Sequence, residues 1–302
     1  IRKAAGLGKS PTKRDPDIYD HCYYHCEVLI VGGGPAGLIA AKTALNTGKK
    51  VLLVDERTDF GGNLNFSNKD YYKINGSSPL EWIKKTYLEL QKNKNIKMLK
   101  RTSVAAYHNY NYLIMIQNLT DHLPDKEKKQ KIRQRLWKIR AKKVILATGS
   151  IERPMVFDCN DRPGIMLSSA VRKYANTYGV KCGNNISIFT NNDDAYETAI
   201  TLHSKGVNVK CIIDIRKKSD GTLPKKCEEL GIKIHWKSAV IYTEGYKKIN
   251  KIYVMNLSED NSSVVGNKFK VNCDLLCVSG GYTPAVHLFT QSGGKLNYNE
   301  KK

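Results

Sequence analysis

The chain has 302 residues, 41% hydrophobic and 26% charged, which is ordinary for a globular protein and enough for two packed domains. Its formal net charge is +22, but the basic residues are scattered and accompany no nucleic-acid-binding module, so we predict no nucleic acid partner. A lysine-rich solvated exterior explains the charge better, and an acidic partner subunit is compatible with it. No apolar run could span a bilayer and no signal peptide is evident, so we predict a cytoplasmic protein without membrane contact.

The beginning of the chain predicts a linker. Residue 1 is Ile rather than Met, so we expect a segment of a longer protein. Residues 1–25 are basic and contain Pro11 and Pro16, a composition typical of a connection from an upstream domain.

The eight cysteines do not form a disulfide framework for a chain of this size. The sequence HCYYHC at residues 21–26 resembles half of a zinc site. No second ligand pair follows at zinc-finger spacing, so we predict no metal. Cys273 and Cys277 flank three residues of a probable strand and are predicted to be core thiols.

A strand–turn–helix–strand unit follows the linker. The apolar run at residues 28–31 predicts a strand and is followed by G-x-G-x-x-G, filled by Gly32, Gly34 and Gly37. A helical pattern then leads to a second apolar run at residues 51–54, which ends at Asp55. This order and spacing indicate a dinucleotide-binding site.

Each of these positions has a chemical reason. Gly32 allows a sharp turn, Gly34 allows the backbone to approach a pyrophosphate, and Gly37 lets the helix lie close to the strand. The N–H groups at the helix start then face the phosphates. Asp55 is predicted to accept hydrogen bonds from the ribose hydroxyls and to disfavour a 2′-phosphate, although Arg57 lies close by in the sequence.

Further positions extend the predicted cofactor site. The loop FGGN carries Gly62 and Asn63, and the strand near Val104 could present its backbone to an adenine ring. The tripeptide ATG, containing Thr148 and Gly149, recurs where flavoprotein chains pass under a cofactor.

The second half predicts another α/β domain. A strand–helix–strand pattern ends near residue 214, and its turn at residues 190–194 contains no glycine. We predict the α/β fold of FAD/NAD(P)-binding proteins with two dinucleotide-binding domains, a doubly wound sheet with an inserted second α/β domain. The expected boundaries are a first domain at 26–152, an inserted domain at 153–271, and a return to the first domain at 272–302, which leads to a downstream domain.

Four runs resemble one family. They are VLIVGGGPAGL with VDER, LWKIRAKKVILATGSIERPMVF with NDRPGIMLSSAVRKY, FTNNDDAYETA, and VSGGYTPAVHLFTQSGGKL. Many flavoproteins share the first run, whereas the other three are more particular. Together they resemble the alpha subunits of heterotetrameric sarcosine oxidases over nearly the whole chain.

This resemblance implies a function within a complex. Such complexes oxidatively demethylate sarcosine to glycine, produce hydrogen peroxide and transfer the one-carbon unit to tetrahydrofolate, which binds a downstream domain. The resemblance implies beta, gamma and delta subunits as partners, with the amine substrate and FAD on beta, and FMN between beta and alpha. The alpha subunit would hold a bound NAD that is not a substrate. The patterns above and this resemblance together predict that the cofactor is bound by Gly32, Gly34, Pro35, Ala36, Gly37, Asp55, Glu56, Arg57, Gly62, Asn63, Val104, Thr148, Gly149 and Gly281. No catalytic residue carries over to this chain.

Three alternatives remain open. The first is a subunit of a related amine dehydrogenase complex. The second is an NAD(P)H-dependent flavin oxidoreductase, in which hydride would pass from the second domain to a flavin in the first; the glycine-free turn at residues 190–194 weakens it. The third is a nucleotide-binding scaffold that acts only with its partners.

Overall fold

The computed structural model describes residues 6, 8, 10–67, 73–128 and 130–298. The earliest residues of the predicted linker and the last four residues of the chain lie outside these ranges. The chain divides into two compact units. The first unit comprises Ile1–Gly62, Thr86–Ala147 and Val286–Lys302, and the second comprises Asn63–Lys85 and Thr148–Ala285.

The described residues form sixteen strands and seven α-helices. The strands are β1 (Ile18–Val31), β2 (Val51–Val54), β3 (Ile96–Leu99), β4 (Thr102–His108), β5 (Tyr112–Asn118), β6 (Ile132–Leu146), β7 (Ser150–Glu152), β8 (Ile165–Leu167), β9 (Asn185–Thr190), β10 (Asn208–Asp214), β11 (Lys233–His235), β12 (Ser238–Glu244), β13 (Lys251–Leu257), β14 (Val264–Asn272), β15 (Leu275–Ser279) and β16 (Tyr282–Pro284). The helices are α1 (Pro35–Asn46), α2 (Pro79–Gln91), α3 (Asp125–Lys128), α4 (Ser168–Thr177), α5 (Asp194–Ser204), α6 (Thr222–Glu229) and α7 (His287–Gln291).

The first unit is built on a six-stranded sheet of order β3-β2-β1-β6-β5-β4. Strands β3, β2, β1 and β6 run parallel, whereas β6, β5 and β4 form an antiparallel meander. The four residues of β2 are completely buried, as expected for a parallel strand covered on both faces. The α1 helix connects β1 to β2, which completes the predicted strand–helix–strand unit.

The prediction of a linker up to residue 25 is wrong for residues 18–25. They form the first part of β1 and pair with β6 along its length. Their side chains alternate in exposure, and Cys22, Tyr24 and Cys26 pack against the core. This two-residue period is the signal of a half-buried strand, and the basic, proline-containing residues before it obscured that signal.

One core cluster of the first unit lies on a single face of the sheet. Leu113 and Met115 of β5 pack there with Trp137 and Ile139 of β6, and none of the four is more than 4% exposed. Leu288 of α7 joins the same cluster, so the chain returns to the first unit only from residue 286 onward.

The second unit contains a five-stranded parallel sheet of order β11-β10-β9-β15-β8. The prediction that residues 272–281 return to the first domain is wrong, because β15 lies between β9 and β8. All five residues of β15 are buried, so their sequence marks a central strand but does not reveal which sheet receives it. A three-stranded antiparallel sheet, β12-β13-β14, belongs to the same unit.

None of the described helices combines the length and the apolar character needed to cross a bilayer, and α2, with 13 residues, is the longest of them.

Candidate dinucleotide-binding site

The glycine turn joins β1 to α1 in the first unit. Gly32 adopts φ of 102°, a left-handed conformation that favours glycine. Gly34 is the N-cap residue of α1 and Pro35 occupies the first turn. No side chain caps this helix and its first turn carries no acid, so its positive end is left for an external anion.

Two glycines of the motif meet different surroundings. A Cβ atom added to Gly37 would lie 1.8 Å from the carbonyl oxygen of Gly32, so only glycine lets the helix approach the turn. A Cβ atom added to Gly34 would meet nothing closer than the Cα of Gly62, at 3.9 Å. Gly37 is therefore required by the fold, whereas Gly34 borders open space where a ligand could approach.

Asp55, at the end of β2, holds the glycine turn in place. Its carboxylate is buried and its Oδ2 accepts a hydrogen bond from the backbone N–H of Gly33 at 2.6 Å. Its Oδ1 accepts another from the N–H of Arg57 at 2.7 Å. The N–H of Gly61 donates to the carbonyl of Gly33 at 2.7 Å. The turn is thus tied to both the strand end and the second glycine pair.

Sequence reasoning missed Gly33 and Phe60. A Cβ atom at Gly33 would lie 2.1 Å from the ring carbon Cδ1 of Phe60, so the aromatic ring packs directly against the backbone of the turn. The available signal was the third consecutive glycine of the motif, which the G-x-G-x-x-G pattern leaves unspecified.

Glu56 follows Asp55 in a different environment. Its side chain is exposed, and it has no hydrogen-bond or ion-pair partner among the described residues. The connection from β3 to β4 passes this strand end, because the N–H of Thr102 donates to the carbonyl of Asp55 at 2.8 Å. Val104 lies two residues further along β4, paired with Met115, and its side chain packs toward the core.

The predicted residues divide between the two units. Gly32, Gly34, Pro35, Ala36, Gly37, Asp55, Glu56, Arg57, Gly62 and Val104 belong to the first unit, and all but Val104 lie in the segments that form the glycine turn, the start of α1 and the end of β2 with the loop after it. Asn63, Thr148, Gly149 and Gly281 belong to the second unit. There the hydroxyl of Thr148 donates to the carbonyl of Ala285 at 2.8 Å, and the N–H of Ala285 donates to the carbonyl of Gly149.

The second unit repeats the strand–turn–helix–strand pattern, with a polar turn at residues 190–194. The Asn192 amide donates to the hydroxyl of Ser279 at 2.9 Å. Asp193 pairs with Arg216 at 2.8 Å, and Asp194 pairs with Arg172 at 2.9 Å. Every one of these side chains is engaged within the protein.

The end of β10 is also occupied. Asp214, which corresponds in position to Asp55, is fully buried. Its carboxylate accepts hydrogen bonds from the hydroxyl of Tyr196 at 2.7 Å and from the guanidinium of Arg216 at 2.8 Å. Because Arg216 bridges Asp214 and Asp193, the carboxylate at the end of β10 is already paired within the protein.

Buried charges continue behind this turn. Arg172 is 2% exposed and its guanidinium pairs with Glu197, which is 1% exposed, and with Asp194. Burial alone would lower the pKa of Arg172, but the two carboxylates outweigh it and raise the pKa. Burial raises the pKa of Glu152, and its hydrogen bonds to Ser169 only partly offset this effect.

Five of the eight cysteines are buried in the core, namely Cys26, Cys211, Cys227, Cys273 and Cys277. Cys26 is buried, and burial raises the pKa of its thiol to about 11. Cys273 and Cys277 are free, buried thiols, and burial raises the pKa of Cys273 to about 12. Over the described ranges, no three His, Cys, Asp or Glu side chains come together as a metal site would require.

Residues 26–301 match the pyridine nucleotide-disulphide oxidoreductase family. The chain belongs to this family. Membership confirms the predicted FAD/NAD(P)-binding α/β fold and assigns the chain to the oxidoreductases.

The curated relatives confirm the resemblance found in the sequence. The chain is 40% identical over 293 residues to the sarcosine oxidase subunit alpha of Corynebacterium sp. strain P-1, covering 96% of this chain and 30% of the relative. It is 36% identical over 302 residues to the subunit alpha of Rhizobium meliloti strain 1021, covering 100% of this chain and 29% of the relative. The chain therefore spans about 30% of the length of these relatives.

Solved structures share the fold. A thioredoxin reductase from T. acidophilum matches with a TM-score of 0.66 at 18% identity, covering 90% of this chain and 82% of that one. L-proline dehydrogenase from P. horikoshii matches with a TM-score of 0.64 at 23% identity, covering 95% of this chain and 48% of that one. At these identities the similarity establishes architecture alone.

Proposed function

We propose that this chain is the NAD-binding part of the alpha subunit of a sarcosine-oxidase-type complex. The observation that carries this proposal is the match to sarcosine oxidase alpha subunits at 36–40% identity over nearly the whole chain. The complex would oxidatively demethylate sarcosine to glycine, release hydrogen peroxide and transfer the one-carbon unit to tetrahydrofolate.

The first unit supplies the proposed NAD site. Three of its features fit a dinucleotide: the uncapped start of α1, the open space beside Gly34, and the adjacent Gly62 with φ of 58°. The backbone N–H groups at the start of α1 would hold the pyrophosphate. In this proposal the bound NAD is not a substrate, and no residue of the chain touches reacting atoms.

The ribose contact falls to Glu56 in this proposal, with Asp55 as its support. Both oxygens of Asp55 already accept backbone hydrogen bonds, and its side chain is 8% exposed. Glu56 is exposed at the same strand end. The carboxylate of Glu56 can accept hydrogen bonds from the ribose hydroxyls and would repel a 2′-phosphate. We therefore keep the proposed preference for NAD over NADP but assign it to Glu56 instead of Asp55.

Other parts of the activity would lie outside this chain. We assign the amine substrate and FAD to a beta subunit, FMN to the contact between beta and alpha, and tetrahydrofolate to a downstream domain. Gamma and delta subunits would complete the complex. The relatives are named as subunits, which supports assembly with other chains.

The alternative is an NAD(P)H-dependent flavin oxidoreductase. Membership of the pyridine nucleotide-disulphide oxidoreductase family favours it, because hydride transfer from nicotinamide to flavin needs two dinucleotide sites. The ion pairs that Arg216 makes with Asp193 and Asp214 weigh against this alternative, since a nucleotide bound at the turn of the second unit would have to displace them. The amine-oxidising complex is therefore the better-supported proposal.

The test is to purify the full-length chain from its own cells and identify its ligands and companion chains by mass spectrometry. The proposal expects NAD on this chain, together with flavin-bearing companion subunits and peroxide formation from sarcosine. An FAD molecule bound in the first unit would contradict the NAD assignment. If NAD is bound but the complex oxidises a different amine, the proposed NAD site stands and only the proposed substrate changes.

A further inference from the structure

One face of the first sheet is distinct from the core face. Side chains alternate along β1, β6 and β5, so the residues next to Trp137 and Ile139 in the sequence point away from the core. This second face has an apolar centre of Ile114, Ile116 and Leu136, all three half-buried. Around it lie Tyr23, Tyr112, Lys138 and Arg140, and these seven residues are called the outer patch.

Strand register makes the outer patch continuous. Lys138 of β6 is the pairing partner of both Tyr23 in β1 and Ile114 in β5. Leu136 is paired with Ile116, and Arg140 with Tyr112. Paired residues on the same face of a sheet lie in contact distance, so three strands contribute to one surface.

The cations of the outer patch are held against aromatic rings. The Lys138 ammonium lies 5.0 Å from the ring centroid of Tyr23 and 3.2 Å from its hydroxyl. The Arg140 guanidinium lies 5.0 Å from the ring centroid of Tyr112. These contacts restrict two long side chains before any partner arrives, which lowers the entropy lost on binding. Tyr23 is nevertheless 70% exposed.

The positive charge of the outer patch favours an acidic partner. None of its seven residues is acidic, and Glu27, further along β1, is already paired with Lys49 and Lys142. A second copy would place Lys138 and Arg140 against like charges in a chain whose net charge is +22. A single-stranded nucleic acid stacks successive bases on a series of exposed rings, whereas the centre of this surface is aliphatic and Tyr23 alone of its two tyrosines is largely exposed.

We propose that a partner subunit docks on the outer patch. The contact surface of that partner would be apolar at its centre and bordered by Asp and Glu side chains. Aromatic, arginine and aliphatic side chains in one surface match the composition of protein–protein interface cores. The carboxylates of the partner would pair with Lys138 and Arg140 at the edge of the contact. This inference rests on the multi-subunit assembly proposed above.

The first experiment places a photoreactive benzoylphenylalanine at position 23 of the full-length chain, expressed in its own cells. We expect a cross-link to a companion subunit, at a peptide containing Asp or Glu. The same residue at position 246 serves as the control, because Tyr246 is 94% exposed but lies in the second unit. Cross-links from position 23 only to nucleic acid, to a second copy or within the chain would overturn the proposal.

The second experiment reverses the charges. The double variant Lys138→Glu with Arg140→Glu is expected to weaken association with the cross-linked subunit by about tenfold or more, and reversal of the partner's carboxylates should restore it. Lys92→Glu, at an exposed position after α2, should have no effect. Unchanged association of the double variant would refute the patch. NAD content, measured in parallel, tests the nucleotide site independently, and the thermal midpoint shows whether the variants fold.

Discussion

At the scale of single residues, two neighbouring carboxylates have different surroundings. Asp55 is buried and accepts two backbone hydrogen bonds, whereas Glu56 is exposed and engages none of the described residues. Asp55 shapes the glycine turn through these two bonds. The acid that stabilises the turn and the acid proposed to contact the ribose are therefore separate, and each can be tested alone.

We predict that Glu56→Gln weakens NAD binding while leaving stability unchanged. Loss of a charge-assisted hydrogen bond should cost about 1.5–3 kcal/mol, and discrimination against NADP should decrease because less negative charge faces the 2′ position. Titration calorimetry with both nucleotides measures this. Glu127→Gln, an exposed position of α3, is the matched control.

Asp55→Asn should behave differently. An amide group facing the N–H of Gly33 or Arg57 leaves a buried donor unsatisfied, so we expect a loss of about 1–3 kcal/mol in the free energy of unfolding. If Asp55→Asn keeps full stability and loses only nucleotide affinity, the division of roles between the two carboxylates is wrong.

The glycine motif permits a second paired test. Gly34→Val should fold, since φ is −69° and an added Cβ has only ordinary contact with Gly62, yet it should lose bound nucleotide because the side chain takes the place of the pyrophosphate. Gly37→Ala should lower the thermal midpoint, because its Cβ would collide with the carbonyl of Gly32. Nucleotide content of purified Gly34→Val equal to wild type would place the site elsewhere.

Sequence patterns predicted the glycine turn because each glycine follows from a local backbone requirement. They did not separate Asp55 from Glu56, because the difference depends on which side chain points toward Gly33. Nor could they show that Phe60 packs on Gly33, a contact between residues far apart in the sequence. The sequence therefore predicted the local backbone conformation of the turn but not which side chains contact it.

At the scale of elements, β1 and β15 show where pattern and environment diverge. The alternating residues of β1 from Ile18 onward carry a strand signal that composition concealed. The uniformly buried β15 carries a strong strand signal but no information on its neighbours, so its placement between β9 and β8 was unpredictable. Strand identity is local, whereas strand order depends on the whole sheet.

The link between β7 and α4 should make stability depend on pH. The buried Glu152 accepts hydrogen bonds from Ser169 and its pKa is raised by burial, so the folded protein favours its protonated form. Its contribution is fully present below about pH 4.5 and is lost as pH rises through the folded pKa. Urea unfolding of wild type and Glu152→Gln across pH measures the difference.

We expect the stability of wild type relative to Glu152→Gln to fall with rising pH and then level off. Comparison of the two proteins cancels the many surface carboxylates that titrate in the same range. Glu259→Gln, exposed and paired with Lys237, should show the opposite slope, since the pKa of Glu259 is lowered by that partner. A constant difference between wild type and Glu152→Gln would show that Glu152 does not titrate differently on folding.

At the scale of the whole molecule, the two units repeat one pattern with different chemistry. The first has an uncapped helix beside open space, and the second has ion pairs at the corresponding turn and strand end. We therefore predict that the chain binds about one equivalent of NAD and does not turn over NADH with flavin by itself. Anaerobic mixing with NADH, flavin and an electron acceptor tests this, with flavin alone as the reference.

The same preparation should produce no peroxide from sarcosine unless companion subunits are added. Peroxide from this chain alone would contradict the assignment of the amine site to a partner. NADH oxidation well above the flavin reference would instead support the alternative function of an NAD(P)H-dependent flavin oxidoreductase. Arg216→Ala tests whether ion pairs hide a nucleotide site in the second unit, because it removes the bridge between Asp193 and Asp214. NADH oxidation that appears only in this variant would indicate a hidden site, and no oxidation would indicate that the site is absent.

The position of Asp194 also limits how this protein can evolve or be engineered. Asp194 begins α5 as Pro35 begins α1, and a carboxylate there would repel a pyrophosphate, but replacing it would leave Arg172, only 2% exposed, with one carboxylate fewer. Removing a partner from a buried ion pair costs about 3–5 kcal/mol, a large fraction of the roughly 5–15 kcal/mol that holds a domain folded. Replacing Arg172 first would remove the guanidinium that pairs with the buried Glu197. A second nucleotide pocket is therefore separated from this sequence by coordinated substitutions, and single-step selection should rarely cross that gap.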